Sequence, residues 1–169
     1  MRHMATLLGL LIVFTATNVC AQPSQVCPLL SASDVSSVGA TGQGIPGEMP
    51  LTGGPKGDTV KLCSWRMAMG GMHLSVAKVP PGSHEAFMAK LNEIYATLKA
   101  QGWTEEKKDF GRVSCELMTP PPGKKDDPIT TGCFGEAKGM VVSISTLGRT
   151  RIPMEKVKAL VDAAAARLP

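Results

Sequence analysis

Two stretches of the chain alternate between apolar and polar residues with the period of two that is typical of β-strands. The first runs from Thr59 to Met69 and resumes from Met72 to Val79 after the pair Gly70-Gly71. A glycine pair at this place predicts a tight two-residue turn, and therefore a hairpin with Trp65 opposite Val76. One face of this hairpin is apolar, and its members are Cys63, Trp65, Met67, Met69, Met72, Leu74 and Val76.

The second stretch predicts another hairpin, from Thr131 to Ala137 and from Met140 to Thr146, which turns at Lys138-Gly139. Before it, Trp103 to Met118 predicts either one bent strand or two strands separated at Gly111. The residues between, 119–131, are rich in proline and charge and are expected to form an exposed polar loop.

Three helices are expected from apolar residues at helical spacing and from capping residues. Ser31, with Asp34 three residues later, predicts a short first helix that ends at Gly39. Ser83 begins the second, whose apolar stripe comprises Phe87, Leu91, Ile94, Tyr95 and Leu98. Pro153 begins the third, whose stripe comprises Val157, Leu160, Val161, Ala164 and Leu168.

The region 39–58 is expected to be a loop, because 10 of its 20 residues are glycine or proline. Each predicted hairpin and each longer helix has one apolar side, and these sides need a common core. The expected fold is therefore α+β, an antiparallel sheet with helices packed on one face, in a single domain over residues 22–169.

A short internal match suggests two β-hairpin–helix repeats. Residues 71–76 match residues 139–144 in sequence, and each copy is accompanied by a cysteine strand and followed by a proline and a helix. Either a duplication or the general likeness of exposed hairpins explains the match.

The composition limits the function. The chain has 169 residues, 4% aromatic residues and a formal net charge of +4, so neither a basic footprint nor a stacking surface for nucleic acid is indicated. No stretch after the N-terminus is apolar for long enough to predict a transmembrane helix. The oligomeric state is not indicated by any feature of the sequence.

The N-terminus predicts a secretory signal peptide over residues 1–21. A basic start is followed by the uncharged run Ala5 to Ala16, and Val19-Cys20-Ala21 provides small residues for cleavage before Gln22. The mature protein is then expected in the periplasm or secreted. Lipidation at Cys20 is the weaker alternative, because Asn18 and Val19 do not form a good lipoprotein cleavage site.

Cleavage leaves an even number of cysteines, namely Cys27, Cys63, Cys115 and Cys133. In an exported chain four cysteines predict two disulfide bonds, with three possible connectivities. Their positions on inward faces favour Cys27–Cys63, which joins the first helix to the first hairpin, and Cys115–Cys133, which closes the proline loop.

The segment Cys27-Pro28-Leu29-Leu30-Ser31-Ala32-Ser33-Asp34-Val35, followed by Cys63-Ser64-Trp65, resembles an uncharacterised family of exported bacterial proteins, many of them lipoproteins. That family begins with a C-x-L-L-(S/T)-x-x-(D/E)-V helix and has a later C-x-W strand. The resemblance covers most of the mature chain in element order and implies the fold and the compartment. It supplies no catalytic residues, and the second cysteine pair is less typical of the family.

The chain has few candidates for chemistry. Met67, Met69, Met72 and His73 include soft ligands suited to Cu(I), but the predicted pairing directs the methionines inward and His73 outward. No hydrolase motif is present, and oxidised cysteines exclude a thiol nucleophile. We therefore expect no enzyme and no cofactor.

The sequence favours a non-enzymatic binding or interaction protein of the bacterial envelope. Its partner is expected to be another envelope protein that contacts the long polar loops. A periplasmic Cu(I)-binding protein and a carrier of a small apolar ligand are the two alternatives.

Overall fold

The computed structural model describes residues 26–50, 59–78, 83–124 and 126–169. In the helix that begins at Ser83, the side chains of residues 83–88, 90 and 91 lie outside this description, as does the predicted signal peptide with Cys20 and the cleavage position before Gln22. A 3-10 helix, Cys27–Leu29, precedes three α-helices: α1 Ala32–Ser36, α2 Ser83–Ala100 and α3 Met154–Ala166. The strands are β1 Ala40–Pro50, β2 Thr59–Met67, β3 Gly70–Lys78, β4 Thr104–Asp109, β5 Val113–Thr119, β6 Ile129–Ala137 and β7 Met140–Gly148.

The strands form one antiparallel sheet in the order β1-β2-β3-β7-β6-β5-β4. Each hairpin strand pairs with its neighbour in sequence, and the two hairpins meet where β3 pairs with β7. At this central pair Leu74 lies opposite Ile144, and both side chains are fully buried. The predicted α+β class with an antiparallel sheet is confirmed. Of the two alternatives for Trp103 to Met118, the structure has two strands, β4 and β5, separated at Gly111.

One face of the sheet forms the core. The α3 helix packs on β5, β6 and β7, and residues 26–39, which we call the N-terminal segment, pack beside α3. The predicted stripe of α3 is buried. Most of the hairpin residues that alternation assigned to the inward face are also buried, whereas Met67 and Met140 are partly buried and Met69 is exposed. The side chains at alternate positions define the opposite, second face.

The first hairpin has a different register from the one predicted. The turn is formed by Ala68 and Met69, so that Trp65 lies opposite Met72 and Met69 is 54% exposed. Gly70 belongs to β3, where its φ of +145° is accessible only to glycine, and a Cβ there would overlap the carbonyl of Leu147 on β7. The glycine is therefore required for the close approach of two strands. The shift by an even number of residues leaves the strand side chains on their predicted faces, but Met69 lies in the turn and not on the apolar face.

The prediction of a loop over 39–58 is wrong for its first part, because residues 40–50 form the edge strand β1. Proline has no N–H, so Pro46 and Pro50 are compatible only with sites where the backbone nitrogen faces away from β2. They are four residues apart and therefore have the same orientation, opposite Cys63 and Thr59. Because this strand lies at the edge of the sheet, the two prolines also offer no N–H to which a further strand could hydrogen-bond. Residues 51–58 lie outside the described chain.

Helix α2 differs from the other helices. The prediction that its stripe enters the common core does not hold for Ile94, which is 49% exposed, while the side chains of Phe87 and Leu91 lie outside the description. Its C-terminal part meets β4 on the second face, where Lys99 pairs with Glu105. Burial raises the pKa of Glu105, but hydrogen bonds from Lys99 and Lys107 lower it by more, so that this pKa is lowered overall.

The two hairpins occupy equivalent positions on either side of the β3–β7 pair. Their turns, Ala68-Met69 and Lys138-Gly139, are equivalent, and Cys63 and Cys133 lie at the same distance before them. The sequence match pairs Gly71 with Gly139, but Gly71 lies in a strand and Gly139 in a turn. The match is therefore shifted by two residues from the structural equivalence of the two hairpins. Moreover, α2 and α3 occupy different positions relative to the sheet.

Among the helices of the described residues, none combines the length and the apolar character needed to cross a membrane.

Candidate functional site

A cavity of about 560 Å³ lies between the N-terminal segment and β1, with Trp65 of β2 in its wall. It is open to solvent on one side. Its buried lining includes Leu30, Val35 and Trp65, whereas Thr41 and Gln43 are exposed at its rim. The full lining among the described residues is Cys27, Pro28, Leu30, Ala32, Val35, Ser36, Ala40, Thr41, Gly42, Gln43, Gly44, Pro46 and Trp65.

The disulfide bond Cys27–Cys63 attaches one wall of this cavity to the sheet. The same wall is held from the other end of the chain, because Arg167 donates to the carbonyl of Leu29 at 2.8 Å and to Asp34 at 2.6 Å. The cavity therefore depends on a covalent bond and on contacts between residues more than 130 positions apart in the sequence.

Helix α1 is only one turn long, and its N-terminus is stabilised by a capping box. The Ser31 hydroxyl accepts from the backbone N–H of Asp34 at 3.2 Å, and the Asp34 carboxylate accepts from the backbone N–H of Ser31 at 2.8 Å. Hydrogen bonds from Ser31, together with Arg167, lower the pKa of Asp34. The predicted cap is confirmed, and it fixes the orientation of this wall.

The opposite wall is an irregular part of β1. The register with β2 breaks between Thr41 and Ile45, and Gly42 has a φ of +80°. Gly44 lies so close to Cys63 and Trp65 that a Cβ would be 2.8 Å from the indole ring. Bulges of this kind direct backbone and side chains away from regular pairing and are common beside binding sites.

The predicted cysteine pairing is confirmed in full, since Cys115–Cys133 is also bonded. These two cysteines lie directly opposite each other on β5 and β6, and α3 covers them, with the sulfur of Cys133 3.6 Å from the carbonyl of Met154. Unlike Cys27, neither lines the cavity beside Trp65.

The residues considered for Cu(I) are not brought together. Met72 is fully buried in the core and Met69 is exposed in the turn. His73 is exposed on the second face, where its Nδ1 and the Ser64 hydroxyl are 2.9 Å apart. Met67 packs at the margin of the core. In the part of the chain described here, no group of three or more histidine, cysteine or acidic side chains is placed to hold a metal ion.

Besides Glu105, whose pKa is lowered, the second face contains an acidic group whose pKa is raised. Glu116 on β5 lies beside Gly132 of β6, and burial raises the pKa of this carboxyl to about 7. Two strands, β6 and β7, separate it from His73. These two residues therefore do not form an acid–base pair.

Sequence reasoning missed the cavity. It assigned one wall to a loop and treated Trp65 as core, and nothing in local periodicity links residues 27–36 to residues 40–46. The one available signal was the pairing of Cys27 with Cys63, which brings the N-terminal segment to the strand that contains Trp65.

Comparisons of the chain with models of protein families, with curated proteins and with solved structures found no match.

Proposed function

We propose that the chain is an exported, disulfide-stabilised binding protein without catalytic activity, and that the cavity beside Trp65 is its ligand site. The observation that carries the proposal is the construction of this cavity. A covalent bond, a capped helix and long-range hydrogen bonds to Arg167 all position its N-terminal wall. Its volume is within the range of small-molecule sites.

The distribution of reactive groups supports a binding role. His73 and Ser64 lie on the second face, Glu116 is separated from His73 by two strands, and Cys27, Cys63, Cys115 and Cys133 are bonded in pairs. The disulfide bonds fit an oxidising compartment, in agreement with the signal peptide expected from the sequence. We infer that the mature chain works in the bacterial periplasm or after secretion.

A substitution in the cavity wall tests this proposal. Ala32 is exposed on α1 and lines the cavity, so Ala32→Trp is expected to fill it. Ser33, the next residue, is exposed but does not line the cavity, and Ser33→Trp is the matched control. The wild type and the control, purified natively and measured by native mass spectrometry, should carry an additional small mass that the Ala32→Trp variant lacks.

Equal small-molecule content in all three proteins, or none in the wild type, would contradict the proposal. The same spectra test a protein partner, the second candidate, which would add the mass of another chain. That candidate is favoured by Ile45 and Met49, which are 61% and 48% exposed on the edge strand β1.

A further inference from the structure

We propose that the cavity beside Trp65 selects uncharged ligands that have a flat apolar part and a neutral hydrogen-bonding group. This inference rests on the proposed function and specifies the ligand class of the same site. Three features of the cavity support this ligand class: an uncharged lining, an apolar floor and a polar rim.

The lining of the cavity disfavours a charged ligand. None of the described residues that line the cavity carries an ionisable side chain, since Cys27 is disulfide-bonded. A charged ligand would lose water there and find no opposite charge, which is unfavourable. On the adjoining elements, Asp34 is paired with Arg167 and Glu48 with Lys61 at 2.7 Å.

The floor of the cavity is apolar. Leu30, Val35 and Trp65 are buried apolar side chains, and Pro28 and Pro46 extend this surface. An indole ring offers a flat surface to which another flat apolar group packs favourably. The floor therefore favours a ring or a flat hydrocarbon part over a compact polar molecule.

The rim of the cavity is polar and uncharged. Ser36, Thr41 and Gln43 are exposed there and provide neutral donors and acceptors. The β1 residues between Thr41 and Ile45 have no register partner in β2, so the backbone on this side of the cavity also departs from regular pairing. A hydroxyl or an amide on the ligand fits these groups without a charge.

The two tryptophans of the chain allow a direct test. Trp65 lines the cavity, whereas Trp103 lies between α2 and β4. In a ¹⁵N-labelled Trp103→Phe variant, the single indole N–H signal reports Trp65. Three probes share one ring system and differ in charge at pH 7: 2-naphthalenemethanol, 2-naphthoate and 2-naphthylmethylamine.

The alcohol is expected to shift the Trp65 indole signal saturably, with a dissociation constant at least about tenfold lower than either charged probe. The reciprocal Trp65→Phe variant, whose signal reports Trp103, should show no shift. A charged probe that binds as tightly as the alcohol would overturn the ligand class and leave the site in place. If no probe moves the Trp65 signal, the site itself, and with it the proposed function, is wrong.

Discussion

Replacing Cys27 and Cys63 together by alanine is expected to lower the free energy of unfolding by about 4 kcal/mol. The bond spans 36 residues, and its loss increases the conformational entropy of the unfolded chain accordingly. In the folded chain, the N-terminal segment would be held by noncovalent contacts alone, including the hydrogen bonds from Arg167 to Leu29 and Asp34. We therefore expect loss of the cavity as well as loss of stability.

Urea denaturation and amide hydrogen exchange measure these two effects. The matched control replaces Cys115 and Cys133 by alanine, which opens a shorter loop of 18 residues and should cost about 3 kcal/mol. In the first variant the amides of residues 26–39 should exchange faster than those of β6 and β7, whereas the control should keep the N-terminal segment protected relative to the rest of the chain. Unchanged protection of residues 26–39 in the first variant would show that the disulfide bond does not maintain the cavity.

Stability is expected to fall by about 2 kcal/mol as the pH rises from about 4.5 to 7, and Glu116→Gln should remove most of this fall. Burial raises the pKa of Glu116 from 4.5 to about 7 in the folded chain. The unfolded chain therefore releases this proton first, and each increase in pH within that window favours unfolding. The magnitude allows for solvent screening, because Glu116 is only partly buried.

Urea denaturation of both proteins at several pH values measures this difference. The lowered pKa values of Asp34 and Glu105 act in the opposite direction, since these carboxylates stabilise the fold as the pH rises, but they do so mainly below pH about 4.5. Parallel pH profiles for the wild type and Glu116→Gln would mean that the second face does not desolvate this carboxyl.

Local sequence patterns predicted those features that depend on neighbouring residues. Alternation assigned Cys63, Trp65 and Leu74 to the core face, and the capping residues placed α1 correctly. The register of the first hairpin was missed because Gly70-Gly71 satisfies the preference of a turn. Position 70 instead requires glycine because a Cβ there would overlap the carbonyl of Leu147, which is distant in the sequence.

Features that depend on distant contacts were not predictable in the same way. Glycine and proline in residues 40–50 indicate a loop when neighbouring residues alone are considered, but an edge strand tolerates Pro46 and Pro50. The apolar stripe of α2 indicated a core helix, although the helix meets β4 on the second face. The cavity needs the N-terminal segment, β1 and Arg167 together, and no periodic pattern connects them.

The most direct test of the ligand site is a crystal structure of the protein purified under native conditions, without unfolding or removal of bound molecules. We expect electron density for an uncharged molecule between Trp65 and the N-terminal segment, with its apolar part toward Leu30 and Val35. An empty cavity would contradict the ligand site, and so would a molecule bound instead on the second face beside His73.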